Sequence, residues 1–353
     1  MNHIEALRQI LAEKEADALL LTSEISQRYA VDYHFSDGYV LITPSKALLL
    51  TDFRYKEEAE KTVAPTIEVV TPPSFFEFLS DILISEHIRS LAYEDRDLTC
   101  AEFEELQRQL SFEPIAVGDA IERKRAVKDG EEIAVIRKAQ EITDAAYTHI
   151  LSVLTPQMTE VDVVLELEFF MRRAGADGIA FPSIAVSGAA SALPHGLASR
   201  RPLSRGFLTM DFGAALKGYA SDMTRTVSLG KATPEMKRIY ETVLRAQELG
   251  MEAIAAGVPA SLVDAAARSY IDGAGYRGLF GHSFGHGVGL EIHEAPRLSS
   301  RSSRPLEAGN VVTAEPGIYS PGICGCRIEN MGLVTEDGFV SFTKSSRELI
   351  ELF

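Results

Sequence analysis

The chain has 353 residues, with 35 Lys and Arg against 51 Asp and Glu, and its formal net charge of −16 argues against a nucleic-acid or anionic-membrane partner. That length accommodates two domains with cores of their own, and 46% hydrophobic against 24% charged residues excludes a chain dominated by disorder. Cys324 and Cys326 are poorly placed to bond each other and Cys100 lies far off, so a disulfide framework is excluded and a reducing cytoplasm is the expected compartment.

No stretch approaches the roughly 20 apolar residues of a spanning helix. The opening residues show no basic segment followed by an apolar run, so no secretion signal is expected. Residues 1–122 alternate helical and strand patterns. Helices are expected at Ile4–Lys14, Arg54–Lys61, Phe75–Ser85 and Cys100–Leu110. Strands are expected at Ala18–Thr22, Tyr39–Thr43, Ala47–Thr51, Ile67–Thr71, Leu91–Tyr93 and Pro114–Val117, the second and third joined as a hairpin through Pro44-Ser45-Lys46. This is a small α/β domain with no glycine-rich phosphate loop and no clustered metal ligands. Its expected role is architecture and assembly.

The basic run Arg123-Lys-Arg-Ala-Val-Lys128 reads as a solvated helix start at the junction with a second domain, 123–353. A long amphipathic helix follows from Glu131 to about Leu151, with Ile133, Ile136, Ala139, Ile142 and Ala146 at helical spacing. Thr159 is a good N-cap for a second helix, with Asp162 three residues on. A similar unit recurs about one hundred residues later: the helix Pro234–Ala256, then a helix in which Ser261 and Asp264 mirror Thr159 and Asp162. Each helix pair leads to a His-bearing stretch and then to a hairpin carrying carboxylates.

In the first hairpin, strands at Phe207–Ala214 and Tyr219–Leu229 flank a turn near Leu216-Lys217-Gly218. A turn centred between Leu216 and Lys217 sets Asp211 directly opposite Asp222. In the second, a turn centred on Gly322 sets Glu315 opposite Glu329. Paired carboxylates at cross-strand distance repel unless a proton or a cation sits between them. Between the hairpins runs Gly281-His282-Ser-Phe-Gly-His286-Gly-Val-Gly-Leu-Glu-Ile-His293, too glycine-rich for a helix. Two Asp, two Glu and a histidine form a ligand set suited to a pair of hard or borderline divalent ions, provided that two related halves bring both hairpins to one centre. The two cysteines of the second hairpin read as small packed residues.

At these residues the chain resembles the pita-bread metallopeptidases, in particular their proline-peptidase branch, aminopeptidase P and prolidase. The segments that carry the resemblance are Ser191-Ala-Leu-Pro-His195-Gly, Met210-Asp211-Phe-Gly, Gly218-Tyr-Ala-Ser-Asp222-Met-Thr-Arg-Thr, Gly285-His286-Gly-Val-Gly-Leu, Ile292-His293-Glu, Glu315-Pro-Gly-Ile-Tyr and Arg327-Ile-Glu329-Asn. The resemblance covers the whole length of the chain, and these segments, all present in this order, make it very specific. The resemblance implies an α/β N-terminal accessory domain, which in that family often takes part in homodimer formation. It also implies an α+β pita-bread catalytic domain with an internal pseudo-two-fold repeat. It implies a two-metal site held by Asp211, Asp222, His286, Glu315 and Glu329, and a substrate site lined by His195, His282, His293 and Arg327.

The implied activity is hydrolysis of the bond between an N-terminal residue and proline, by attack of a metal-bridging hydroxide. Glu315 would shuttle the proton, His195 and His293 would hold the scissile group, and His282 would contact the proline end. Oxygen-rich ligation favours manganese, with cobalt, zinc and iron(II) compatible. Short proline-containing peptides are the implied partners. Asn330 departs from the aspartate common in the family, and no implied ligand is missing. Other readings are a non-catalytic binding module on the same fold, creatinase-like hydrolysis without metal, and a methionine aminopeptidase. That last branch usually lacks a large N-terminal domain.

Overall fold

The computed structural model describes residues 3–353, which divide into two compact units, one ending at Arg125 and the other running from Ala126 to Phe353. The first unit contains, in order, α1 (Ile4–Lys14), β1 (Ala18–Leu21), α2 (Glu24–Val31), β2 (Gly38–Ile42), β3 (Ala47–Thr51), α3 (Phe53–Thr62), β4 (Glu68–Val70), α4 (Phe75–Ser85), β5 (Leu91–Tyr93), α5 (Cys100–Gln109) and β6 (Ile115–Ala116), and it leads into α6 (Ala120–Ala126). Its strands form one mixed sheet in the order β4-β3-β2-β1-β5-β6. Leu20, Leu41, Leu48 and Leu50 from the sheet pack against Leu79, Leu83 and Leu106 from the helices. Helix α2 was not expected. Its start is set by Ser23, whose hydroxyl accepts from the Ser26 amide.

The second unit begins with α7 (Gly130–Val153) and α8 (Glu160–Arg173). Both carry capping boxes, Asp129 with Glu132 and Thr159 with Asp162, so each helix start satisfies its own exposed amides. Strands β7 (Gly178–Ile179), β8 (Ile184–Ser187), β9 (Gly206–Phe212), β10 (Ala214–Leu216), β11 (Tyr219–Ala220) and β12 (Met223–Leu229) follow. After α9 (Pro234–Glu252) and α10 (Ala260–Ile271) come β13 (Gly285–Gly287), β14 (Glu294–Leu298), β15 (Val311–Ala314), β16 (Gly317–Ser320), β17 (Cys324–Arg327), β18 (Asn330–Thr335), β19 (Gly338–Ser341) and β20 (Glu351–Leu352). The two main sheets have the orders β20-β12-β9-β8 and β14-β13-β15-β18-β19.

Each sheet is covered by its own helix pair, giving two cores. One joins Ile142, Ala146 and Ile150 of α7 and Val163, Leu167 and Met171 of α8 to Leu208, Met210 and Val227. The other joins Ile239, Val243 and Ala246 of α9 and Val263, Ala267 and Ile271 of α10 to Val312, Ala314 and Ile328. The halves repeat in their loop contacts as well. Leu203 N–H donates to the Met158 carbonyl and Glu160 N–H to that of Arg201; correspondingly Leu306 N–H donates to Val258 and Ala260 N–H to Arg304. The fold is thus an α/β domain followed by an α+β pita-bread domain with an internal repeat.

These contacts correct the register expected for the repeat. Thr159 corresponds to Pro259, not to Ser261: each forms an isolated bridge with a proline, Pro202 and Pro305. Helix α10 has no side-chain cap, and Ser261 lies inside it. Asp264 serves another purpose, accepting from the Arg268 guanidinium and from the Phe284 amide. The basic run at the junction is not a solvated helix start: Arg123, Lys124 and Arg125 form the last turn of α6, and Arg125 and Lys128 are buried. Among the described residues no helix is long and apolar enough to cross a membrane.

Candidate metal and active site

The two carboxylate hairpins differ in how their turns set register. In the first, Lys217 and Gly218 both take positive φ, 46° and 81°, as a two-residue primed turn requires. Leu216 therefore faces Tyr219, and the ladder continues with Phe212 facing Met223 and Asp211 facing Thr224. Asp222 falls across from Gly213, so the two aspartates are diagonal neighbours and not directly opposed. Glycine is required at 213, since a Cβ there would stand 1.8 Å from the Ser221 carbonyl oxygen.

In the second hairpin the Gly322-centred register holds: Gly317 faces Arg327 in one ladder and Ala314 faces Asn330 in the next. Glu315 and Glu329 lie opposite each other where the two ladders meet. There each strand changes partner, Glu315 N–H donating to the Phe284 carbonyl at 2.8 Å and Glu329 N–H to that of Thr224 at 3.1 Å. Those two bonds tie the second hairpin to β12 on one side and to the segment leading into β13 on the other.

Both hairpins and the glycine-rich segment open onto one cavity of about 530 Å³, lined by His195, Asp211, Asp222, His282, His286, His293, Glu315, Arg327 and Glu329 together with Phe181, Ile184, Ile292 and Arg297. All nine side chains singled out in the sequence therefore share one environment. Asp222 and Glu329 are buried, at 4% and 1% exposure. One ligand atom each from Asp222, His286 and Glu329 lie within 4.8 Å of one another.

Electrostatically this cluster is unfinished. Burial, then the charges of Glu329, Asp211 and Glu315, push the Asp222 carboxyl well above its ordinary range. Burial, then Glu329, does the same to Glu315. Burial, then Asp211, moves Glu329 up to about 8. Three buried carboxylate oxygens, Asp211 Oδ1, Asp222 Oδ1 and Glu329 Oε1, have no hydrogen-bond partner. Unsatisfied buried acceptors of this kind are rare and costly.

His286 adds to the imbalance. Its Nδ1 lies 3.1 Å from the Gly287 carbonyl, which can only accept, so Nδ1 carries the proton. Nε2 then presents a lone pair toward Glu315 Oε1 at 3.3 Å and Asp222 Oδ2 at 3.6 Å. Burial, then His293, moves its pKa down to about 4, so protonation does not supply the missing charge at neutral pH. Orphaned carboxylate oxygens and a bare imidazole nitrogen converging on one point form a donor set that fits divalent cations.

Polar residues behind the cluster hold it in place. Arg327 donates to Asp211 Oδ2 at 2.5 Å, to the Tyr319 hydroxyl at 2.7 Å and to Thr224 Oγ1 at 2.9 Å. Thr224 in turn donates to Glu329 Oε2 at 2.7 Å. His282 Nδ1 donates to the Ser283 carbonyl at 2.9 Å, leaving Nε2 to accept from Tyr319 at 2.9 Å. Both its ring nitrogens are thereby used within the protein, and burial, then Arg327, moves its pKa down to about 3.

His195 and His293 are exposed to the cavity, and the His293 ring stands edge-on to His286 with centroids 4.3 Å apart. Sequence reasoning did not single out Thr224, Tyr319 or Arg297. Thr224 and Tyr319 lie inside segments already marked for their carboxylates, two residues from Asp222 and four from Glu315. Cys324 and Cys326 are buried free thiols.

Known proteins match both units. A model of metallopeptidase family M24 matches residues 134–336, and one of the creatinase/prolidase N-terminal domain matches residues 3–127. An uncharacterized peptidase of Bacillus subtilis, YqhT, is 41% identical over 351 residues, 99% of each chain. Among solved structures, an Xaa-Pro dipeptidase from Bacillus anthracis superposes with a TM-score of 0.95 at 43% identity, covering 99% of each chain. An X-Pro aminopeptidase from Thermotoga maritima gives 0.92 at 34% identity, over 98% of this chain and 100% of the other. With its carboxylate–imidazole cluster in the matched region and a family-typical domain ahead of it, the chain belongs to metallopeptidase family M24 and is a hydrolase.

Proposed function

We propose that this protein is a two-metal peptidase that hydrolyses the bond between an N-terminal residue and proline. The observation that carries the reading is the convergence of three unpartnered buried carboxylate oxygens and the bare Nε2 of His286 in one cavity. Asp211, Asp222, His286, Glu315 and Glu329 would hold the ions, with manganese the preferred occupant of so oxygen-rich a set and cobalt, zinc or iron(II) compatible. When bound, divalent ions there supply Lewis-acid polarisation and lower the pKa of water toward neutrality.

The chain's own residues do the rest. Glu315, whose proton affinity is raised by burial, takes a proton from the attacking water and passes it to the proline nitrogen as the C–N bond breaks. His293, whose pKa partial desolvation lowers, and His195 donate to the carbonyl oxygen as charge grows on it. Proline leaves as a secondary amine. Its ring removes the N–H that other peptidases can grip, so recognition must rest on the two ends of the substrate.

Arg297 bears on which substrate. It lines the cavity, and its side chain makes no hydrogen bond or ion pair with any described residue. An uncommitted guanidinium beside a site otherwise rich in carboxylates favours a substrate that brings its own carboxylate close to the scissile bond, that is, a dipeptide. The similarity of the chain both to an Xaa-Pro dipeptidase and to an X-Pro aminopeptidase makes this the discriminating question. Turnover of Xaa-Pro should exceed that of Xaa-Pro-Yaa-Zaa, and Arg297→Leu should raise KM for the dipeptide roughly 10- to 100-fold, as expected for one charge-assisted contact. Equal turnover of both peptides by the unaltered protein would turn the assignment to an aminopeptidase.

Residues 1–122 are assigned an accessory role and 123–353 the chemistry, with a cytoplasmic homodimer as the working form. Sedimentation of the purified protein checks the assembly.

A further inference from the structure

At the cavity wall, which Glu294 helps to line, lies a charged pair that the chemistry above does not use. Lys128 is the only buried lysine among the described residues. Its Nζ donates to Glu294 Oε1, and the two side chains are 1% and 5% exposed. Burying an ammonium is tolerated only where it is paired and hydrogen-bonded, and here Nζ also donates to the Ala126 carbonyl at 3.2 Å. The backbone beneath is fixed as well: Lys128 N–H donates to the Gly309 carbonyl at 2.9 Å, and Val127 pairs with Asn310, at the entry to β15.

Glu294 is the residue after His293. Its Oε2 lies within reach of the Glu291 amide at 3.5 Å, and its carboxylate lies over Gly289, where a Cβ would stand 2.4 Å from Oε1. The Gly289 carbonyl accepts from Ala220 N–H at 2.8 Å, two residues before Asp222. The segment from Val288 to His293 forms no helix or strand, yet it brings Ile292 and His293 to the cavity wall. Its N-terminal part is held by Val288 N–H on the Val311 carbonyl and Gly289 N–H on that of Glu291, both at 3.0 Å, and at the His293 end the Glu294 side chain is the charged anchor.

We infer that Lys128 and Glu294 form a positioning pair that sets the orientation of His293 in the site. Lys128 touches no reacting atom; it acts through Glu294 on the loop. The kinetic consequence rests on the role given to His293 above, whereas the geometric one does not.

The test uses the full chain labelled at histidine Cε1, in metal-free and zinc-loaded forms, with the His293 signal identified by its loss in His293→Gln. Lys128→Met alone leaves a buried carboxylate without its cation and is expected to lower the melting temperature. The double variant Lys128→Met/Glu294→Gln removes both charges and is expected to recover most of that loss. In the double variant the His293 signal should shift or broaden while those of His34 and His87 stay in place. On an Xaa-Pro dipeptide, kcat should fall roughly 10- to 100-fold, as for other residues that orient a site group, with KM within about twofold. A His293 signal that superposes on that of the unaltered protein, or an unchanged kcat, overturns the proposal. Should the unaltered protein not cleave Xaa-Pro at all, the peptidase reading fails and the imidazole spectrum alone decides on the pair.

Discussion

At the scale of single residues, the site is a set of acids that burial has left without enough positive charge. Arg327 offsets part of it and Thr224 places one hydrogen bond on Glu329, but Asp222, Glu315 and Glu329 all hold protons more tightly than they would in water. The linkage has a definite sign. Between the ordinary glutamate pKa of 4.5 and the value of about 8 for Glu329, the folded metal-free protein binds more protons than the unfolded chain, so its stability falls as pH rises through that window. Melting of metal-free protein at pH 5 and pH 8 should show the lower midpoint at pH 8, and added divalent metal should raise it there. Metal binding should also release protons, seen as a calorimetric heat that differs between buffers of different ionisation enthalpy. Thr224→Val removes the donor to Glu329 and the acceptor for Arg327 without adding volume. It should weaken metal binding roughly 10- to 100-fold, read by titration with a competing chelator.

At the scale of elements, much was legible because local signals were strong. The helices Ile4–Lys14 and Phe75–Ser85 and the strand Ala47–Thr51 have the limits their patterns indicate, and the capping box of α8 was visible in Thr159 and Asp162. The second hairpin declared its register through a turn centred on Gly322. In the first, the turn residues are Lys217 and Gly218, both with positive φ, so Gly218 fixes the register one residue later than a turn centred between Leu216 and Lys217. Helix α2 is short, and its apolar residues do not stand out from the strands beside it. Ser261 carried a capping signature that the fold does not use, because Pro259 occupies the cap position.

Two substitutions test that corrected register. Thr159→Ala should cost about 1 kcal/mol of stability, the usual worth of an N-cap, whereas Ser261→Ala inside α10 should change it by a few tenths at most. Urea unfolding of both variants reads the difference. Gly213→Ala, which would press a methyl group onto the Ser221 carbonyl, should destabilise by about 1–3 kcal/mol and reduce metal content by shifting the adjoining Asp222 strand.

At the scale of the molecule, the internal repeat makes the site possible. Each half has its own helix pair and core, and each contributes one hairpin, so ligands far apart in sequence arrive on two rigid supports. The candidate ligands were legible as residue types because hairpins and glycine-rich runs have local signatures. Their convergence was legible only through the repeat and the family resemblance, since no local signal joins Asp211 to Glu329. The polar links between supports, Thr224 to Glu329 and Arg327 to Asp211, involve ordinary residue types whose role is set by where the strands cross.

The most direct measurement pairs metal content with turnover in the same samples: purified protein, the same protein stripped by chelation and reloaded with manganese, and Asp222→Ala. Two equivalents of metal per chain are expected in the loaded protein, with Xaa-Pro cleavage lost on stripping and restored on reloading. The folded Asp222→Ala variant should regain neither. Undiminished cleavage by the stripped protein or by Asp222→Ala would contradict the site.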